Sequence, residues 1–102
     1  MNREELTYKV KESVRAIDPN ARIILFGSRA RGDNKGKSDW DFLILTSHQA
    51  DEQIKRQIRD ILIDTELEAE EVISTLIYSQ DKWKDYQITP LYRNISKDGV
   101  EL

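Results

Sequence analysis

A chain of 102 residues with a net charge of −3, 38% apolar and 34% charged, fits one polar-faced domain with a modest core and is too apolar to be disordered by composition. The absence of cysteine excludes disulfides and thiolate metal sites. A mildly acidic balance argues against general nucleic-acid binding, which rests on neutralising many phosphates. No basic, apolar, small-residue leader opens the sequence and no apolar stretch approaches membrane-spanning length. The expectation is therefore one cytoplasmic domain over residues 1–102, with no membrane partner.

Along the chain, Leu6, Val10, Val14 and Ile17 recur at helical spacing with charges between them, predicting an amphipathic helix over residues 3–17 that Asp18-Pro19 stops. ARIILF (21–26) is a β-branched run too short for a helix and reads as a buried strand. Gly27-Ser28 breaks it, with Ser28 expected to cap a short helix through Arg31 that ends at Gly32. Asp33 to Ser38 is turn chemistry, and Trp40 to Leu45 is a second strand. After a polar linker holding the one histidine, His48, residues 51–67 predict the longest helix, with Ile54, Ile58, Ile61 and Leu62 on one stripe. Val72 to Tyr78 predicts a third strand, Ser79 a capped turn carrying Trp83, and Thr89-Pro90 to Gly99 a last helix before a short edge strand. Trp40 and Trp83 are expected in the core, and His48 in solvent. This order predicts an α/β (α+β) fold, a small mixed sheet flanked by helices.

The stretch GSRARGDNKGKSDWDFLIL (27–45) concentrates the chemistry. Asp39 and Asp41 stand two apart at a strand start, so both side chains share a face, with Cα atoms about 6.6 Å apart at roughly 3.3 Å per residue. Oxygen-only ligands favour Mg²⁺ or Mn²⁺ over zinc, and magnesium commonly takes one or two protein carboxylates and leaves the rest of its shell to water and phosphate. Gly27 leaves room for a ligand at the backbone, and Ser28 begins a turn whose hydroxyl and N–H groups can hold phosphate oxygens. Arg29 and Arg31 add positive charge, with one of the two expected on the side of Ser28, and Lys35 and Lys37 are lesser candidates for phosphate contact. Together these parts make a polyphosphate cradle facing a metal platform, as metal-assisted phosphoryl or nucleotidyl transfer requires.

Gly-Ser, ten residues, then Asp-Trp-Asp and Phe-Leu-Ile-Leu resembles the signature of the polymerase-beta-like nucleotidyltransferases. The fuller string GSRARGD…SDWD resembles the minimal nucleotidyltransferases, small proteins often encoded beside a helical HEPN-domain protein, and the similarity extends over most of the chain. The resemblance implies the polymerase-beta-like fold, binding of a nucleoside triphosphate (ATP as the default) with Mg²⁺ or Mn²⁺, and transfer of a nucleoside monophosphate to an acceptor hydroxyl with release of pyrophosphate. On that resemblance Asp39 and Asp41 are the catalytic metal ligands. Gly27, Ser28 and Arg31 hold the triphosphate, Ser38 adds a hydrogen bond near the turn, and a HEPN-domain protein is the expected partner. Active members place a third carboxylate on the following strand. Here that strand reads VISTLIY, and the register puts Ser74 at the position, with Glu70 and Glu71 at the strand's start. The departure keeps a second reading open, a non-catalytic antitoxin-like module that neutralises a HEPN partner by binding. An aminoglycoside-type nucleotidyltransferase shares the motif but needs a second domain to form its acceptor pocket.

Overall fold

The computed structural model describes residues 1–34, 36 and 38–102. Lys35 and Lys37 lie outside the described residues. The elements run α1 (Arg3–Ile17), β1 (Arg22–Phe26), α2 (Ser28–Arg31), β2 (Trp40–Thr46), α3 (Glu52–Ala69), β3 (Ile73–Ser79), α4 (Gln80–Trp83), a 3₁₀ turn (Lys84–Tyr86), α5 (Pro90–Asp98) and β4 (Val100–Glu101). The sheet has the order β3-β2-β1-β4. β1 pairs antiparallel with both β2 and β4, whereas β2 and β3 run parallel, joined by the α3 crossover. The mixed α/β architecture expected from the element order is the one observed. No helix among the described residues is long and apolar enough to cross a membrane.

Period-2 alternation gives the sheet two apolar faces with different covers. On the first, Ile23, Leu25, Trp40, Phe42, Ile44 and Ile77 pack against Leu6, Val10 and Val14 of α1 and Ile58 and Leu62 of α3. On the second, Ile24, Leu43 and Leu45 pack under Trp83 of α4 and Ile95 of α5, with Tyr78, Tyr86 and Tyr92 around them. The Trp83 ring stacks on Tyr92 at 5.1 Å and on Tyr86 at 5.7 Å. Both tryptophans are buried and His48 is exposed, as their neighbours in sequence suggest. Because all of β2 but Asp41 is buried, its apolar run is continuous rather than alternating.

The helix ends follow local chemistry. Asn2, Asp51, Ser79 and Thr89 each accept a backbone N–H from the first turn of the helix they precede, and Pro90 opens α5. Ser28 is not the cap of α2. Gly27 takes that position, at φ +76°, and Ser28 is the first helical residue. The long helix runs two residues further than the expected end at residue 67, to Ala69, where Glu70 adopts a left-handed conformation (φ 55°) and Glu66 carries the Glu71 N–H on its carbonyl and the Ile73 N–H on its carboxylate.

Asp18 ties the turn after α1 to the loop after β2. Its carboxylate, 6% exposed, accepts from the Ser47 N–H and hydroxyl, both at 2.7 Å, and from the Asn20 N–H at 3.2 Å. Burial pushes the group upward, but these three hydrogen bonds, with His48 nearby, outweigh it and hold Asp18 below its ordinary range. A depressed folded-state value means stability that is present above the ordinary carboxylate range and lost as the pH falls through the folded value. Asp18→Ala is expected to cost about 1–3 kcal/mol near neutrality by leaving buried donors unpaired. Thermal unfolding of the two proteins against pH checks this: the gap should be widest at neutral pH and close in acid.

Candidate functional site

Register on the second face builds the site. Phe26 of β1 lies opposite Asp41 of β2, and Asp41 in turn lies beside Ser74 of β3. The next rows of that face, Ile24–Leu43–Leu76 and Arg22–Leu45–Tyr78, feed the core under α4 and α5. The Phe26–Asp41–Ser74 row sits at the end of the sheet where β1 leaves and where β2 and β3 begin. Asp39, exposed, stands one step before this row on the same side of β2, and the Ser74 hydroxyl donates to its Oδ2 at 3.2 Å. Asp39, Asp41 and Ser74 therefore form one cluster.

Gly27 closes the cluster from β1. A Cβ built on it would lie 2.5 Å from Asp41 Oδ2, and its φ of +76° is a conformation L side chains rarely adopt. The Gly-Ser turn and the D-x-D pair are thus in close approach, and a side chain at position 27 would have to displace the Asp41 carboxylate as well as strain the turn. The Gly27 carbonyl accepts the N–H groups of Ala30 and Arg31 and starts α2. The preceding N–H groups, of Ser28 and Arg29, have no acceptor within so short a helix.

The basic residues divide differently from a simple cradle. Arg29 is a structural clamp. Its guanidinium lies 4.5 Å over the Trp40 ring, donates to the Ser38 carbonyl from Nε (3.1 Å) and Nη2 (3.0 Å) and to the Gly36 carbonyl (3.1 Å), and pairs with Glu71 at 3.6 Å. It holds the loop onto the start of β2 and so fixes where Asp39 leaves the loop. Arg31 is half-exposed, bonded to Asp33 (Nε–Oδ2 3.0 Å) and 3.7 Å from Asp98 at the end of α5. Its guanidinium is held above its ordinary value, by the Asp33 hydrogen bond foremost. Ser38 presents its carbonyl to Arg29. Glu71 turns to Arg29 and Glu66 to the Ile73 amide, and Glu68 pairs with Lys9 of α1, so these three glutamates brace the end of α3 against its neighbours.

Among the described residues no cationic side chain pairs with Asp39 or Asp41, and no group of three or more His, Cys, Asp or Glu side chains could hold a metal. Burial and then the negative charge of Asp39 push the Asp41 carboxyl above its ordinary range. Two hard, adjacent carboxylates with no cationic partner among the described residues fit an ion such as Mg²⁺ or Mn²⁺, which takes few protein ligands.

Comparison with known proteins agrees with this geometry. Residues 7–100 match the family model of the nucleotidyltransferase domain. The chain belongs to that family. A Methanocaldococcus jannaschii protein, named by inference as a protein adenylyltransferase, is 36% identical over 78 residues, covering 74% of this chain and 79% of its own. A solved chain from a crystal structure of a toxin–antitoxin with AMP-PNP superposes with a TM-score of 0.67 at 18% identity, over 98% of this chain and 72% of that one. At that identity the likeness speaks for the fold. The minimal-nucleotidyltransferase resemblance of the sequence is consistent with all three findings.

For Asp41, a raised folded-state value means that ionisation opposes folding, a cost fully present at neutral pH and relieved as the pH falls through that value. Asp41→Asn removes the cost. The metal-free variant should unfold a few degrees above the native protein at neutral pH, with the difference vanishing in acid, as melting curves in a chelating buffer will register.

Proposed function

We propose that this nucleotidyltransferase-family protein binds a nucleoside triphosphate, ATP as the default, with Mg²⁺ or Mn²⁺, and transfers the nucleoside monophosphate to a hydroxyl on a partner protein. The observation that carries the reading is the close approach of the Gly27 backbone to the Asp41 carboxylate, which joins a phosphate-sized turn to a cation-sized pair of oxygens. The name of the archaeal relative supports a protein acceptor, and the toxin–antitoxin structure with AMP-PNP supports an adenine nucleotide and a partner protein. The HEPN-type partner rests on the sequence resemblance.

In this reading Asp39 and Asp41 hold the metal, which when bound neutralises charge on the triphosphate and polarises it. Gly27 lets the triphosphate approach the backbone, while the Ser28 hydroxyl and the first N–H groups of α2 hold its oxygens. Arg31 swings from Asp33 and Asp98 to a phosphate, exchanging carboxylate partners for a phosphate partner of the same geometry. Ser38, with its carbonyl on Arg29, keeps the loop at the height of the phosphates. Ser74 stands where a third carboxylate would be, beside Asp41 in the sheet and within hydrogen-bonding distance of Asp39.

That Ser74 position favours a second reading, in which the domain binds nucleotide and neutralises its HEPN-type partner by association alone. Thermal unfolding with ATP, CTP, GTP and UTP, each with and without Mg²⁺, tests the shared premise. A ligand at a hundred times its Kd adds about 2.7 kcal/mol, and each kcal/mol moves the midpoint of so small a domain by about 4–8 °C. A magnesium-dependent rise is expected in the native protein and not in Asp41→Asn; an equal rise in both would remove the carboxylates from the site. With α-phosphate-labelled nucleotide, label on the partner supports transfer, and neutralisation without label supports the binding module.

A further inference from the structure

The third position of the cluster carries a hydroxyl, and that hydroxyl already has the surroundings of an acceptor. Ser74 Oγ donates to Asp39 Oδ2 at 3.2 Å, the proton pointing at a carboxylate and the oxygen lone pairs left for other partners. Its strand neighbour across the ladder is Asp41, so Oγ opens on the face where the Gly27 turn meets the carboxylates. Ser74 is half-buried on an element fixed along its whole length by pairing with β2, so the hydroxyl is positioned by the sheet rather than by a loop. A primary hydroxyl is thus held within the cluster itself, beside the two carboxylates and on the face where the nucleotide-binding reading puts the triphosphate.

We infer that Ser74 is a self-modification site, the first hydroxyl to which this protein transfers a nucleoside monophosphate. The inference rests on the nucleotide-binding reading above. In the step, Ser74 Oγ forms a bond to the α-phosphorus of a bound nucleoside triphosphate. The bond between that phosphorus and the oxygen bridging to the β-phosphate breaks, pyrophosphate leaves with the electron pair, and the hydroxyl proton passes to solvent water. The product is a phosphodiester-linked nucleotide on β3, seated in the protein's own site. It would block a second triphosphate from entering and present a bulky anionic group at the open end of the sheet.

Other hydroxyls are arranged differently. Thr46, at the far end of β2 from Asp41, donates to the His48 carbonyl, the next residue Ser47 donates to Asp18, and Thr89 donates to the Tyr86 carbonyl. Ser28 and Ser38 are nearer, and they serve as internal controls for where a label lands.

The test incubates the native protein with each α-phosphate-labelled nucleoside triphosphate and Mg²⁺, without any partner, and reads intact mass and the modified peptide. Triphosphate binding is measured separately by magnesium-dependent thermal shift. The expected result is a mass increase of one nucleoside monophosphate on the peptide containing Ser74, lost in Ser74→Ala and retained in Ser74→Thr, which keeps a hydroxyl and suits a strand. A magnesium-dependent thermal shift without any covalent label overturns the self-modification and leaves the nucleotide-binding reading standing. Label on Ser28, Ser38 or any residue other than Ser74 also overturns it. Absence of both shift and label removes the two together.

Discussion

Asp41 presses its carboxylate against the one backbone position in β1's exit that has no side chain. A Cβ at Gly27 would sit 2.5 Å from Oδ2 and push the carboxylate aside, and the turn bends there at φ +76°. The contact requires β1 and β2 to be antiparallel with Phe26 opposite Asp41, because a slip of one residue would turn Asp41 into the core under α1 and α3. It also requires the loop between the strands to return to the sheet at a set height, which is the work of Arg29 on Trp40, Ser38 and Gly36. The site is thus a consequence of sheet register, with one glycine as its tolerance.

The two faces of the sheet explain why the site is open. On the first face α1 and α3 lie across the strands and bury their side chains, including Trp40 at the start of β2. On the second, the short α4, the 3₁₀ turn and α5 cover the rows of Leu43 and Leu45 but not the row of Asp41. Asp41 consequently remains only part-buried, beside a second carboxylate and, among the described residues, without a cationic partner. Burial and the charge of Asp39 raise its protonation range, so the ionised pair is locally unfavourable.

Much of this was legible in the sequence because it depends on short-range pattern. The apolar spacing of α1, the β-branched runs and the Ser79, Thr89 and Pro90 caps report local periodicity and local hydrogen bonding, and the elements fall where those patterns put them. The convergence of Gly27 with Asp39 and Asp41 was legible as well, since two adjacent strands joined by one loop bring their facing ends together. The Ser74 register was readable because β3 enters parallel to β2. The fate of the arginines was not. Arg29 and Arg31 are two residues apart in a basic run, and their division into a clamp and a half-exposed cation depends on Trp40, Glu71 and Asp98, which reach the loop through tertiary packing. The same holds for Glu71, Glu68 and Glu66, whose partners Arg29, Lys9 and the Ile73 amide come from three separate elements.

The central claim is that the open row of the sheet is a metal–nucleotide site built around the Gly27–Asp41 contact. Anomalous diffraction from crystals grown with Mn²⁺ and a non-hydrolysable nucleoside triphosphate analogue tests it most directly. The account predicts a manganese peak between the carboxylates of Asp39 and Asp41, with triphosphate density on the Gly27–Ser28 turn. Manganese and nucleotide bound together anywhere else on the protein, with this row left to solvent, would contradict it.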